Sequence, residues 1–314
     1  MASDVVIEID ALTKSFKKRN AVDAVSLNVS QGSVYGFLGP NGAGKTTTIR
    51  MLLGLIFPDA GRVSLLGLSV PKQLSKVLPK VGAMIEGPGF VPYLSGAQNI
   101  KRLLSATGVT GSKADKLAGE ALERVGLSKV SEMSAKKYSL GMKQRLSLAW
   151  AVALPRELYV LDEPTNGLDP AGMKEVREIV LDLSRSGSTI FLSSHLLSEV
   201  DQICTDVALM SQGRILKNGS MEVLKKEQTG SLEVHAEPVD KATRLLLEWY
   251  PDLKTVTDQS SRTIKIELPD SDGFAGQLNH RLVTEGVTVS SLRIIGRSLE
   301  DVFVRYLGEG FDVR

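Results

Sequence analysis

The sequence predicts an α/β protein with a mainly parallel sheet, followed by a small α+β domain. Up to about residue 220, apolar runs typical of buried strands alternate with stretches of helical periodicity, which is the pattern of a parallel sheet. After about residue 231 the predicted order changes to βαββαβ plus a final helix, the split-βαβ arrangement. The length of 314 residues, about twice that of one typical domain, agrees with two unequal units.

The composition excludes several classes of protein. Hydrophobic residues make up 42% and charged residues 24%, which is ordinary for a globular chain and excludes a disordered one. A net charge of +2 with 5% aromatic residues provides neither a basic field nor many stacking platforms for nucleic acid. The single cysteine fits a reducing compartment. No apolar run approaches the roughly 18 residues that cross a bilayer, and acids replace the basic start of a secretory signal. We therefore expect a cytosolic chain that contacts a membrane only through a partner.

Each element of the first domain has its own pattern. Residues 5–9 and 25–29 partly alternate apolar with polar side chains, as half-buried strands do, whereas residues 33–38 are nearly all apolar, as in a strand covered on both faces. Further apolar runs predict buried strands at residues 81–85, 158–161 and 189–192. Helical periodicity is found at residues 46–55, 112–125, 140–154 and 171–184.

The tail is predicted to form a separate unit. Its strands are expected at residues 232–236, 254–257, 263–268 and 287–295, and its helices at residues 239–249, 274–284 and 298–306. The sequence QTGS at residues 228–231 is the expected linker. We therefore predict one domain over residues 1–230 and a ferredoxin-like accessory domain over residues 231–314. Two roles for this accessory domain are left open: regulation or dimer stabilisation, and simple packing.

A glycine-rich loop joins the third strand to the first helix. Its sequence GPNGAGKT, residues 39–46, matches the pattern G-x-x-x-x-G-K-[ST] of loops that cradle phosphates. Glycines let successive backbone N–H groups face inward, and the helix start adds partial positive charge. We expect the lysine to reach the β- and γ-phosphates and the threonine hydroxyl to hold Mg²⁺. The predicted nucleotide-binding residues of the loop are Asn41, Gly42, Ala43, Gly44, Lys45, Thr46 and Thr47.

Two adjacent carboxylates follow the apolar strand at residues 158–161. Buried strands rarely end in neighbouring acids unless these have a task. Asp162 is expected to hold Mg²⁺, and Glu163 to act as general base toward the attacking water. The alternative is that the two acids only form a solvated strand end. The presence of a phosphate loop in the same chain makes this alternative less favoured. For His195, after the strand at residues 189–192, the sequence alone leaves catalysis and an ordinary hydrogen-bonding role equally open.

Further motifs in the same chain order resemble the nucleotide-binding subunits of ATP-binding cassette (ABC) transporters. The sequence SLGMKQR at residues 139–145 is similar to the signature sequence of that family, and NGLD at residues 166–169 is similar to its dimer loop. The resemblance covers about residues 5–230. The end of the tail, SLEDVF at residues 298–303, resembles drug and bacteriocin exporters of the bacitracin-resistance type. The resemblance implies a P-loop ATPase cassette with a mainly parallel core sheet, an antiparallel β subdomain and a helical subdomain.

The resemblance also implies roles for individual residues. Cassettes of this family close head to tail as dimers, so that each ATP lies between the phosphate loop of one subunit and the signature of the other. Ser139 and the Gly141 backbone would then contact the γ-phosphate bound by the partner, although Ser139 alone would be interpreted as an ordinary N-cap. His195 would orient the water with Glu163, and Asp169 would lie across the interface. Phe16 would stack on adenine.

The chain departs from the family at one candidate metal ligand. The loop after residues 81–85 usually carries Gln, and this chain has Glu86. A carboxylate can bind Mg²⁺ but cannot donate a hydrogen bond to water. We favour metal contact over a solvated loop acid. The aromatic residues of the next segment, residues 90–94, are either a docking site for a permease helix or a cover for the helical layer.

The leading functional hypothesis is an ATPase subunit that drives a separate transmembrane permease. The subunit is expected to form a homodimer around two ATP–Mg²⁺ and to lie at the inner face of the cell membrane. The expected cargo of export is an antimicrobial or lipophilic compound. The alternative is a cassette ATPase that acts on nucleic acid or ribosomes. Three features argue against this alternative: the chain has a single cassette, it lacks a long heptad region, and its net charge is small.

Overall fold

The computed structural model describes residues 5–17, 19–85, 89–226, 231–267 and 273–295. The chain divides into two compact units, Met1–Met221 and Glu222–Arg314. Most of the predicted linker lies outside the described residues, so the domain boundary after residue 230 stays a prediction.

The elements of the first unit alternate between strand and helix along much of the chain. Its strands are β1 (Val5–Phe16), β2 (Arg19–Ser30), β3 (Val34–Leu38), β4 (Ala60–Leu65), β5 (Leu68–Val70), β6 (Val81–Met84), β7 (Leu158–Leu161), β8 (Thr189–Ser194), β9 (Asp206–Ser211) and β10 (Arg214–Ser220). Its helices are α1 (Lys45–Leu52), α2 (Leu74–Val77), α3 (Gly96–Ala106), α4 (Gly111–Arg124), α5 (Leu140–Val152), α6 (Pro170–Arg185) and α7 (Leu197–Ile203).

A six-stranded sheet forms the centre of the first unit, in the order β10-β9-β3-β8-β7-β6. The pairs from β9 to β6 are parallel, and only the edge pair β10–β9 is antiparallel. Strands β3, β7 and β8 are buried along their whole length, as expected for strands with helices on both faces. The predicted mainly parallel α/β core is confirmed.

A second, antiparallel sheet has the order β2-β1-β4-β5. Strands β1 and β2 each have 12 residues and are much longer than the sequence predicts. Their register shifts at several points, and Ala11 and Ala24 have φ values of 45° and 48°. Such bulges interrupt the period-2 pattern, which is why only the regular part of each strand was predicted.

The helices α3, α4 and α5 pack on one another and form the helical part of the unit. Helix α3 is absent from the sequence prediction. Its start is a complete capping box, in which Ser95 Oγ accepts from the Gln98 N–H at 3.1 Å and Gln98 Oε1 accepts from the Ser95 N–H at 2.9 Å. Buried Ile100 and Leu104 on one face hold it against its neighbours.

The second unit contains the predicted βαββαβ order. Its elements are α8 (Met221–Lys226), β11 (Ser231–Glu237), α9 (Val239–Trp249), β12 (Thr255–Asp258), β13 (Thr263–Glu267), α10 (Phe274–Thr284) and β14 (Thr288–Ile295). The four strands form an antiparallel sheet in the order β12-β13-β11-β14. Alternate side chains such as Leu232 and Val234 share a core with Leu246 of α9 and Leu278 of α10. The predicted helix at residues 298–306 lies outside the described residues.

Candidate functional site

The phosphate loop runs from the end of β3 to the start of α1 and has the tight curl that its glycines permit. Gly44 has a φ of 112°, and a Cβ at this position would lie 2.3 Å from the Ala21 carbonyl oxygen. No residue other than glycine fits there. Gly42, with a φ of 79°, has no atom within 4 Å of the position of a Cβ, so the backbone at this point borders open space. A ligand can therefore approach the loop backbone closely at Gly42.

Lys45 is buried at the bottom of this loop. Its Nζ donates to the carbonyl oxygens of Gly39 at 2.6 Å and Pro40 at 3.3 Å, and lies 3.1 Å from Glu163 Oε1. Only 5% of the lysine side chain is exposed. The loop carbonyls thus hold one ammonium group at the centre of the curl, where the negative charge of a phosphate is most strongly attracted.

Asp162 directly follows β7 and is 2% exposed. Its Oδ1 accepts a 2.6 Å hydrogen bond from the Ser193 hydroxyl, whereas Oδ2 has no hydrogen-bond partner among the described residues. Burial raises the pKa of the Asp162 carboxyl, although the hydroxyls of Ser193 and Thr46 act in the opposite direction. A buried carboxylate oxygen without a partner, next to a threonine hydroxyl, is the kind of donor set that fits Mg²⁺.

The described residues show no cluster of three or more His, Cys, Asp or Glu side chains that could hold a metal by themselves. Mg²⁺ in nucleotide sites is usually bound by one or two protein oxygens together with phosphates and water. The Asp162 and Thr46 pair therefore fits a Mg²⁺ that arrives with the nucleotide. Glu86, the third predicted metal ligand, lies outside the described residues.

Glu163 has an unusual backbone, with a φ of 48°. A non-glycine residue in the left-handed region costs about 1–3 kcal/mol and persists only where its surroundings hold it. Its N–H donates to Ser193 Oγ at 2.9 Å. Its carboxylate lies between two basic groups, with Oε1 at 3.1 Å from Lys45 Nζ and Oε2 at 2.8 Å from His195 Nδ1. The strand end thus directs this side chain into the space above the phosphate loop.

These groups surround a single cleft of about 360 Å³. Nine of the residues predicted from the sequence line it: Asn41, Gly42, Gly44, Lys45, Thr46, Thr47, Asp162, Glu163 and His195. Four further lining residues, Ala21, Pro40, Gln144 and Asn166, were not predicted as site residues. Pro40, Gln144 and Asn166 lie within the sequence motifs described above, and these motifs are the available signal. The sequence around Ala21 contains no motif.

The other predicted site residues do not line this cleft. Ala43 of the loop is buried, and Phe16, at the end of β1, is 51% exposed. Ser139 caps α5, because its Oγ accepts from the Met142 N–H at 3.2 Å, and Asp169 caps α6, because its Oδ1 accepts from the Gly172 N–H at 3.0 Å. Both therefore have a local structural role within their own chain.

The signature and the dimer loop lie against each other. A Cβ on Gly141 would come within 3.2 Å of Leu168 Cδ2 and 3.3 Å of the Gly167 carbonyl oxygen. The neighbouring Leu140 is 69% exposed. The parts of the two motifs that face each other therefore lie outside the cleft lining, whereas Gln144 and Asn166 belong to it. The predicted contacts of Ser139, Gly141 and Asp169 with a second subunit stay predictions.

The family follows from comparison with known proteins. Residues 22–166 match the model of the ABC transporter family. The chain is 39% identical to the bacitracin transport ATP-binding protein BcrA of Bacillus licheniformis, over 97% of this chain and 98% of that protein. The chain belongs to the ABC transporter family. As a member it binds ATP and is an ATPase, in agreement with the phosphate loop and the acidic end of β7.

Two further comparisons support this ABC assignment. The BcrA protein of Enterococcus faecalis is 36% identical, over 99% of each chain. The solved structure of an ATP-binding subunit of an ABC transporter superposes with a TM-score of 0.64 at 25% identity, over 71% of this chain and 92% of the other. The ABC cassette fold that the sequence predicts is therefore confirmed.

The unpaired oxygen of Asp162 leads to a test of stability. Because burial raises the pKa of this carboxyl, its ionised form opposes folding at neutral pH. Asp162→Asn removes the charge and keeps an oxygen for Ser193, so we expect an increase of about 1 kcal/mol in the stability of the nucleotide-free protein. This corresponds to a rise of about 2–4 °C in Tm, measured by thermal unfolding. The same variant should lose the additional stabilisation by ATP with Mg²⁺.

Asp169→Asn is the matched control for this substitution. It makes the same chemical change at a helix cap, where Asn and Asp are about equally good, so the Tm should stay within about a degree. A lower Tm for Asp162→Asn in the absence of nucleotide would contradict the interpretation.

Proposed function

We propose that this chain is the ATP-hydrolysing subunit of an exporter, and that it drives a separate transmembrane permease for an antimicrobial or lipophilic compound. The supporting observation is the similarity to the bacitracin transport ATP-binding proteins, which extends over 97–99% of the chain and so includes its C-terminal unit. No helix among the described residues is long and apolar enough to span a membrane. In this proposal the path for the cargo belongs to another polypeptide, and this chain acts as a peripheral protein at the inner face of the membrane.

The cleft supports ATP hydrolysis with defined roles. The loop backbone and Lys45 bind the phosphates of ATP. The bound phosphates would compete with Glu163 for the ammonium group of Lys45. Release from Lys45 leaves a Glu163 oxygen free to accept the proton of the attacking water, while His195, on the other carboxylate oxygen, orients that water and the γ-phosphate. Asp162 and Thr46 would hold Mg²⁺, which supplies charge stabilisation of the phosphates, and Glu86 is proposed as an additional ligand.

A second copy of the chain would complete each site. Every chain contains one phosphate loop and one signature, and Ser139 and Gly141 of the signature do not line the chain's own cleft, although Gln144 does. In a head-to-tail homodimer, Ser139 and the Gly141 backbone, at the start of α5, meet the γ-phosphate bound by the partner. Asp169, at the start of α6, meets the partner across the interface. Phe16 is exposed and available for stacking on adenine.

The segment after Glu86 is the proposed docking site for the permease. Tyr93 is 81% exposed, which is unusual for an aromatic side chain, whereas Phe90 is half-buried. The buried Asn99 of α3 fixes this loop, because its Oδ1 accepts from the Val91 N–H at 2.8 Å and its Nδ2 donates to the Leu94 carbonyl at 3.3 Å. A rigid loop with an exposed aromatic tip can transmit the closure of the dimer to a helix of the permease.

The composite site predicts that hydrolysis and dimerisation can be separated. Glu163→Gln removes the general base and leaves the binding groups in place, so we expect ATP with Mg²⁺ to trap a stable dimer. Size-exclusion chromatography with light scattering should show twice the monomer mass, and steady-state ATPase should fall at least about 100-fold.

Glu157→Gln makes the same change at the opposite end of β7, where the carboxylate pairs with Lys80 on the surface, and should neither trap a dimer nor slow hydrolysis. A purely monomeric Glu163→Gln protein at saturating ATP would exclude the shared site.

The docking loop predicts a variant that uncouples the two subunits. Tyr93→Ser should keep the basal ATPase rate, because the side chain is far exposed and lines no part of the nucleotide cleft. It should lose most of the stimulation by the permease in proteoliposomes. Val256→Ser, at an exposed apolar position of the second unit, is the control and should retain full stimulation. Loss of both the basal and the stimulated rate in Tyr93→Ser would indicate a core role instead.

The export function itself can be tested in a sensitive bacterial host. Co-expression of this chain with a candidate permease should raise the minimum inhibitory concentration of bacitracin or of a lipophilic drug several-fold, and Glu163→Gln should abolish the increase. Unchanged sensitivity to a panel of such compounds, together with salt-sensitive binding of nucleic acid, would support the alternative of a non-transport ATPase.

A further inference from the structure

Gln144 makes a contact with the acidic end of β7 that the proposed mechanism has not used. It lies on α5 and lines the nucleotide cleft. Its Nε2 donates a 2.6 Å hydrogen bond to the backbone carbonyl oxygen of Glu163. The contact is to the backbone of Glu163, so Gln144 acts on the conformation of this residue and leaves its carboxylate free.

The peptide group between Glu163 and Pro164, whose carbonyl accepts the hydrogen bond from Gln144, can form few other hydrogen bonds. Residue 164 is proline, so the peptide bond after Glu163 has no N–H, and the Glu163 carbonyl is its one hydrogen-bonding group. A residue before proline is also sterically restricted, and Glu163 combines this restriction with a φ of 48°. Such a conformation requires support from its surroundings.

Two contacts with different functions meet at the Glu163 carbonyl. The Asn166 N–H donates to it at 3.1 Å, which closes a turn over four residues and sets the internal shape of that turn. The Gln144 amide instead connects the turn to α5 and so fixes where the turn lies. On the other side of Glu163, the Ser193 hydroxyl accepts its N–H and donates to Asp162. The backbone is thus held on both sides by side chains of other elements.

We propose that Gln144 is a positioning residue for Glu163. By holding the carbonyl, it maintains the left-handed backbone that places the carboxylate between Lys45 and His195, 3.1 Å and 2.8 Å away. The inference rests on the proposed role of Glu163 as general base. Loss of the amide would let the turn rotate and move the carboxylate from the attacking water, whereas among the described residues the phosphate loop makes no hydrogen bond with this amide.

The test uses Gln144→Met in the full chain, because methionine keeps the length of the side chain and removes the donor. We expect kcat for ATP to fall about 10- to 100-fold, as for a misplacement of about 1 Å, with KM for ATP within about 2-fold of the wild type. In the Glu163→Gln background, Gln144→Met should leave the ATP concentration for dimer trapping unchanged. Gln277→Met, on the exposed face of α10, is the matched control and should change neither constant.

Gln144→Glu provides a second variant of nearly identical shape, in case the methionine variant does not fold. It also lacks the donor at neutral pH, so it should lower kcat at least as far. Wild-type kcat in Gln144→Met would overturn the inference, even if Gln144→Glu were slow, because the loss would then come from the added charge. A parallel rise in KM and fall in Tm would also overturn it and indicate a structural role. Absence of ATPase activity in the wild type would instead contradict the proposed function.

Discussion

The whole site depends on the parallel pairing of three buried strands. Leu38 of β3 pairs with Ser194 of β8, and Leu161 of β7 pairs with Leu192 of the same strand, so the three strands end at one edge of the sheet. The phosphate loop, the two acids and the histidine follow directly from these ends. Lys45 and Glu163, which are 118 positions apart in the sequence, therefore meet at 3.1 Å, and no loop has to reach across the molecule to bring them together.

This arrangement concentrates charge where the protein can least solvate it. Lys45 and Asp162 are almost fully buried, and Glu163 joins the lysine to His195. The pairs offset part of the desolvation cost, but one oxygen of Asp162 has no hydrogen-bond partner within the described part of the chain. The fold is thus less stable than it could be at the point where a ligand with phosphates and a metal would supply the missing interactions. A site of this kind gains stability when the nucleotide binds.

Most of the fold could be predicted from the sequence because the decisive signals are local. The buried strands of the core and the helices α6, α9 and α10 follow from apolar runs and periodicity, and the phosphate loop follows from one motif. Helix α3 is not predicted from the sequence, although the capping box of Ser95 and Gln98 is a local signal, because the segment before it has the pattern of a loop. Ala21 was missed for a different reason. It lies on β2 and borders the cleft only because its carbonyl packs on Gly44, a contact between distant elements that no local pattern encodes.

The two helix caps, Ser139 and Asp169, keep some hydrogen-bonding capacity beyond their role in the fold. The Ser139 hydroxyl accepts from the Met142 N–H, and a hydroxyl still has one hydrogen to donate. It can therefore cap α5 and donate to a phosphate at the same time. Asp169 is different, because an ionised carboxylate only accepts. Its second oxygen can meet only donors across a dimer interface, such as backbone N–H groups, hydroxyls or basic side chains of the partner. In the proposed head-to-tail pair, the hydroxyl of Ser139 could thus donate to a phosphate, whereas Asp169 would need a donor from the partner.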